Sequence, residues 1–134
     1  MDLRRHKNLV VILAREFASK LATPMFVTDA SGDLVFFNEP AEVILGRSFT
    51  EAGEMPAAEW ATLFKVEDLE GRPIELTDMP AGIAFTEQRP AHGTICIRGL
   101  NGYRRVISVT AFPLFAHTAE FVGVVAIFWE EPEL

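Results

Sequence analysis

Cysteine occurs once, at Cys96, in a chain of 134 residues. That scarcity excludes an internal disulfide and any cysteine-based zinc site. It suits a reducing compartment, and the cytoplasm is the expected location. Clustered positive charge is equally scarce. The formal net charge is −7, and Arg4-Arg5-His6-Lys7 and Arg104-Arg105 are the largest basic groups. Nucleic acid is therefore not an expected partner, because phosphate neutralisation needs dense Lys and Arg. No apolar run reaches the length of a bilayer span, so no membrane partner is expected either. The start MDLRRHKNLVVILAREF joins a basic head to an apolar stretch. Arg15, Glu16 and Lys20 break that stretch early and no small-residue cleavage site follows, so it reads as a helix rather than a leader. There is no low-complexity segment and no repeat of solenoid period.

Apolar residues, by contrast, are plentiful: they make up 49% of the chain, with eleven Phe and a mean hydropathy of +0.20. At this length one domain with a real core is expected, with apolar surface left over for a cavity or a partner. From Leu3 to Leu21 the apolar residues Leu9, Ile12, Leu13, Phe17 and Leu21 fall at helical spacing, with Val10 and Val11 widening the stripe. Pro24 ends this amphipathic helix. Met25–Asp29 then reads as a strand, DASGD as a tight turn, and Leu34–Phe37 as the return strand. Asn38 is a suitable N-cap for a helix Pro40–Leu45 that closes at Gly46. The middle predicts two short helices, Pro56–Phe64 and Leu76–Gln88, the second capped by Asp78, with EDLEGRPI as a loop between them. Three strands follow: His92–Arg98, Tyr103–Leu114 and Phe121–Glu130, the first two joined by a turn at Gly99–Gly102.

The expected fold is α+β: a five-stranded antiparallel sheet with short helices over one face and an amphipathic N-terminal helix. Residues 1–22 form that helix, 23–131 the domain proper and 132–134 a tail. Alternation assigns the faces of the strands. Both faces of the last strand are apolar, so both must be covered. The short helices cover one, and the N-terminal helix or a second subunit covers the other. The expected helix-packing or dimer face comprises Leu9, Ile12, Leu13, Phe17 and Leu21 with Met25, Val27, Val125, Ile127 and Trp129. A homodimer is the favoured arrangement.

FVTDASGDLVFFNEPAEVILG, GRPIELTDMPAGIAFTEQRP, GYRRVISVTAFPL and FVGVVAIFWEE, in this order, resemble a PAS domain of the bacterial type. The resemblance spans Leu21 to Glu131 and rests on the Asp29–Gly32 turn, Asn38 at a strand end, and Pro113 closing a long strand. It implies a sheet cupped around a cavity with the short helices as lid. It also implies a sensory role, in which a ligand or cofactor alters the sheet and the flanking helices, or a plain pairing role with an empty interior. Flavin photosensors of this family carry a cysteine on a central helix, and haem-binding relatives a histidine on the last one. Neither stands at those positions here, so no flavin adduct and no haem ligation are expected. Cys96 reads as a small core residue, and His92, His6 and His117 as surface or satisfied histidines.

By alternation the inward candidates of the sheet are Phe26, Thr28, Phe36, Ile95, Ile97, Val109, Ala111, Val124, Ala126 and Phe128. The helices add Trp60, Leu63, Phe64, Ile83 and Phe85. This lining suits an apolar small molecule such as a fatty acid, or simply a filled core. The acids Glu51, Glu54, Glu59, Glu67, Asp68, Glu70, Glu130, Glu131 and Glu133 read as charged surface rather than metal ligands. No catalytic triad, phosphate loop or acid in an apolar pocket is evident. The expected function is therefore a sensory or regulatory module, not an enzyme, acting through dimerisation on a signalling protein in trans or on an output domain beyond this chain. A receptor for a small apolar ligand is the alternative, and a small enzyme on a similar sheet a weaker one.

Overall fold

The computed structural model describes residues 9–46, 48–49, 53–99 and 102–132. His6, Glu51, Asn101 and Glu133 lie outside that set, as do most of the basic head and the tip of the turn before Tyr103. Among the described residues the elements run in the order α1 (Leu9–Ala18), β1 (Met25–Asp29), β2 (Leu34–Phe37), α2 (Glu39–Leu45), α3 (Ala57–Leu63), a 3-10 turn (Leu76–Asp78), α4 (Pro80–Glu87), β3 (Ala91–Arg98), β4 (Arg104–Ala116), a second 3-10 turn (His117–Ala119) and β5 (Glu120–Glu130). The strands form one antiparallel sheet in the order β2-β1-β5-β4-β3. The expected α+β architecture is therefore present, with the first and last strands side by side at its centre.

Local chemistry explains most boundaries. Asp29 Oδ1 accepts the backbone N–H groups of Ser31 and Asp33, at 2.9 and 3.1 Å, which shapes the turn that Gly32 completes at φ 86°. Asn38 caps α2 by accepting from Ala41 N–H at 3.2 Å, and Gly46 ends that helix in the left-handed region. The second predicted central helix is divided. Pro80 forces Met79 into extended backbone, so Leu76–Asp78 stays a separate 3-10 turn; Met79, not Asp78, occupies the N-cap position of α4. Pro113 does not close β4, which continues to Ala116. β3 stops at Ala91, opposite Ala111, so beyond that point one edge of β4 is free and a missing N–H there costs nothing.

Both sheet edges carry single-residue bridges. On β2, Leu34 and Met55 exchange backbone hydrogen bonds at 2.7 and 2.9 Å; on β3, Cys96 and Glu67 exchange two at 2.8 Å. The loop expected at 67–74 thus also serves as a cover for the β3 edge.

Two clusters sandwich the sheet. The larger lies under α2, α3 and α4 and includes Leu34, Phe37, Trp60, Phe64, Ile95, Ile107 and Phe128. The smaller joins Val11 of α1 to Val27, Val35 and Val122, with Val10, Ala14, Leu114, Ala116 and Val125 packed against it. So α1 folds back on the outer face of its own sheet, one of the two arrangements expected. Of the two roles left open for its larger apolar residues, packing on the sheet is not the one that Leu9, Ile12, Leu13 and Phe17 take. Leu9, Ile12, Leu13 and Phe17 are 66, 41, 58 and 60% exposed, whereas Val11 and Ala18 are buried. Small side chains let the helix lie close to the strands, and two contacts hold it in that rotation. Asn38 Nδ2 donates to Ala18 O at 3.0 Å, and the Arg15 guanidinium sits 5.1 and 5.5 Å from the rings of Phe36 and Phe49. Met25 and Val27 are buried on the α1 side, Leu21 and Ile127 are half-buried, and Trp129 is 41% exposed.

Candidate functional site: two apolar cavities behind the sheet

The inner side of the sheet and its helices form two partly open cavities. The first, about 50 Å³, lies between Ile95, Ile97, Ile107, Val109 and Phe128 of the strands and Leu45, Trp60, Phe64 and Met79 of the helical side. Phe26, Leu34, Val66, Pro80 and Ala81 complete it. The second, about 150 Å³, lies between the β1–β2 turn, α3 and the start of α4, and is reached by Thr28, Ser31, Leu76, Phe85 and Thr86 among others. Trp60 and Ala81 border both. Trp60 is held in place by a hydrogen bond from its Nε1–H to Gly32 O at 3.1 Å, and Phe26 leans on it at 5.6 Å between ring centroids.

Of the expected lining, Phe26, Trp60, Phe64, Ile95, Ile97, Val109 and Phe128 meet at the first cavity, and Thr28, Trp60 and Phe85 at the second. Ala111, Val124 and Ala126 point the same way but are sealed within the core, and Leu63 packs against that core without lining either space. Two expectations fail. Phe36 is half-exposed and faces Phe49 at 5.3 Å and Arg15, because the β1–β2 register shifts at Val27/Thr28 and strict alternation breaks in β2. Ile83 lines neither space. With α4 starting at Pro80, the residues turned inward are Ala81, Gly82 and Ala84. Ile107 of β4 and Leu34 of β2 also line the first cavity and were missed, although alternation from Val109 points to Ile107; Leu45, Val66, Met79, Pro80 and Ala81 come from loops and helix ends, where no period marks a facing side.

Among the described residues no charged side chain, histidine or cysteine borders either cavity. Cys96 is fully buried on the opposite side of β3 from Ile95 and Ile97, with Arg104 Nη2 at 3.0 Å from its sulfur. His92 is exposed on that outer side, its Nδ1 at 2.7 Å from Thr110 Oγ1.

The outer face holds a polar group of its own where β5 ends. Glu131 Oε1 accepts from Ser108 Oγ at 2.7 Å and from Trp129 Nε1 at 2.9 Å. These two bonds, followed by the nearby His92, hold the Glu131 carboxyl below its ordinary range. A carboxyl depressed in the folded state stabilises the fold above the ordinary carboxylate range, and that contribution is lost as the pH falls through the lower, folded value. Trp129 emission is accordingly expected to change on the acid side of the usual carboxylate range. In Glu131→Gln that transition should be absent; an unchanged one would remove the carboxylate from the account.

A cupped antiparallel sheet in the order 2-1-5-4-3, closed by short helices around internal cavities, defines a class of α+β domain. It is the PAS fold. The PAS domain of a protein from Colwellia psychrerythraea superposes with a TM-score of 0.66 at 20% identity, covering 90% of this chain and 97% of that one. The PAS domain of nitrogen regulation protein NR(II) from Vibrio parahaemolyticus gives 0.62 at 12% identity, covering 89% and 98%. A Rhodobacter sphaeroides LOV protein gives 0.68 at 13% identity, covering 89% and 66%. No family model matches the chain, and no curated protein is matched by sequence. Among the described residues no helix is long and apolar enough to cross a membrane.

Proposed function

We propose that the chain is a sensory or regulatory module rather than an enzyme, working in the cytoplasm as a homodimer paired through α1. A change in the cavities passes through the sheet to that helix, and from there to a signalling protein in trans or an output domain. The observation that carries this reading is the apolar stripe Leu9, Ile12, Leu13 and Phe17 on the solvent side of α1, whose opposite side is already packed on the sheet. Exposed apolar residues grouped on one helix mark an interaction surface, and a second copy offers a matching stripe. Among the described residues no charged side chain lines the cavity walls, and no histidine or acid lines them beside the hydroxyls of Ser31 and Thr77, which supports a non-catalytic role.

Sedimentation of the Phe17→Asp variant tests this. Because Phe17 is 60% exposed, the melting temperature should stay within a few degrees of the parent. The dimer should weaken at least about tenfold, or about 1.4 kcal/mol. An unchanged dimer affinity, or a monomeric parent, would overturn the pairing.

The cavities themselves favour a second reading, a receptor for a small apolar ligand. Volumes of about 50 and 150 Å³ in two separate spaces suit a compact guest better than an extended fatty acid.

A further inference from the structure

The larger cavity is bordered by two aromatic side chains, Trp60 and Phe85, and by four residues with little or no side chain, Gly32, Ala57, Ala81 and Gly82. Gly32, Ala57 and Ala81 leave room there, Gly82 lets the Leu76 backbone approach α4, and each aromatic is held by a contact outside the space. Trp60 is tied to Gly32 O at 3.1 Å, and Phe85 stands edge-on to Phe121 at 5.4 Å between centroids. A hypothetical Cβ on Gly32 would lie 3.4 Å from Phe85 and 3.5 Å from Ala57, so the wall is already in contact around its rim. The void of about 150 Å³ thus persists, and it matches the size at which an apolar protein cavity takes up a single benzene-sized ring.

Chemistry narrows the guest further. None of the lining residues is charged, so an ionised group entering there would lose its hydration without a counter-charge. Ser31 and Thr77 are exposed and stand at the opening, and their hydroxyls have no protein partner among the described residues. Thr28 Oγ1, deeper in, is already engaged by Val124 N–H at 3.2 Å, so a polar group of the guest belongs at the mouth.

We infer that this cavity is a binding site for a compact, uncharged ring compound bearing one hydroxyl or carbonyl group, with the ring against Trp60 and Phe85 and the polar group at Ser31 and Thr77. The inference rests on the sensory reading only in making that compound the stimulus; the site itself stands on the cavity.

The experiment is a titration of the full chain with phenol, benzoate and dodecanoate, followed by two-dimensional NMR and calorimetry. Phenol is expected to saturate one site and to shift the indole N–H signal of Trp60 while leaving that of Trp129 in place. Benzoate should bind at least tenfold more weakly, and dodecanoate should not displace phenol. Ala57→Leu fills the space and should weaken phenol at least tenfold; Thr77→Leu, at the exposed mouth, is the second variant should the first fail to fold. Failure of phenol to saturate, equal binding of benzoate, displacement by dodecanoate, or a folded variant that binds phenol as the parent does would each overturn the site. Saturable phenol binding that leaves the dimer affinity unchanged would keep the site and discard its role as stimulus. Absence of binding beside an intact dimer would discard the site alone.

Discussion

Replacing Asn38 with alanine is expected to cost about 3 kcal/mol or more of folding free energy, out of proportion to one small polar side chain. Its side chain is 1% exposed and makes four hydrogen bonds. Oδ1 accepts from Met25 N–H at 3.0 Å and Ala41 N–H at 3.2 Å; Nδ2 donates to Ala18 O at 3.0 Å and Thr23 O at 2.8 Å. Loss of an N-cap alone costs about 1 kcal/mol. Each buried backbone group left without a partner adds about 1–3 kcal/mol, less where water can enter. Asn38→Asp separates the two halves of the role. It keeps the acceptor that serves β1 and α2 but sets a carboxylate against the carbonyls of Ala18 and Thr23, so the attachment of α1 should suffer most. Chemical denaturation of both variants measures this. A loss below about 1 kcal/mol in Asn38→Ala would show that these four bonds exchange freely with water.

Gly82→Ala is expected to reverse the usual sign of a helix substitution. In an exposed helix interior, glycine to alanine gains about 1 kcal/mol. Here an added Cβ would meet the backbone carbonyl of Leu76, which approaches closer than any real Cβ contact allows, and Thr77 Cα at 3.2 Å. The neighbour is main chain, so it cannot swing aside. Either the 3-10 turn moves off α4 or α4 shifts toward the cavity, and overpacking of this kind costs about 1–3 kcal/mol, occasionally more. The net loss should reach about 2 kcal/mol, seen as a lowered denaturation midpoint with an unchanged slope. A stabilised variant would mean that the 3-10 turn is free to yield.

The architecture was legible where two local signals agreed. Met25–Asp29, the Asp29–Gly32 turn, Leu34–Phe37 and the Gly46 cap each pair a periodic apolar pattern with a turn or capping residue, and their boundaries match the structure. The rotation of α1 was not legible. Leu9, Ile12, Leu13 and Phe17 form as good a stripe as Val10, Val11, Ala14 and Ala18, and the pattern alone does not say which of the two meets the sheet. What decides is close approach to a sheet, which favours alanine, together with the bond from Asn38 to Ala18 O. The cavity was half legible for a similar reason. Strand alternation found Ile95, Ile97, Val109 and Phe128, but a register shift at Val27/Thr28 displaced Phe36, and Pro80 reset the phase of α4 so that Ile83 gave way to Ala81 and Gly82. Asn38 was visible as a cap; its bonds to α1 and to the segment before β1 depend on chain crossings that no local pattern records.

The single-residue bridges at Met55 and Glu67 bear on how copies of this protein can meet. A bare strand edge is a template on which another chain can lengthen the sheet, the route to fibrils and to strand exchange. Here β2 is four residues long with Leu34 already occupied, and β3 has both Cys96 hydrogen bonds taken by Glu67 and the N–H of Arg98 taken by Phe64 O at 3.0 Å. Growth sideways is thereby obstructed on both flanks, and contact between molecules is directed to broad surfaces, where recognition depends on side-chain shape and not on the generic pattern of peptide groups.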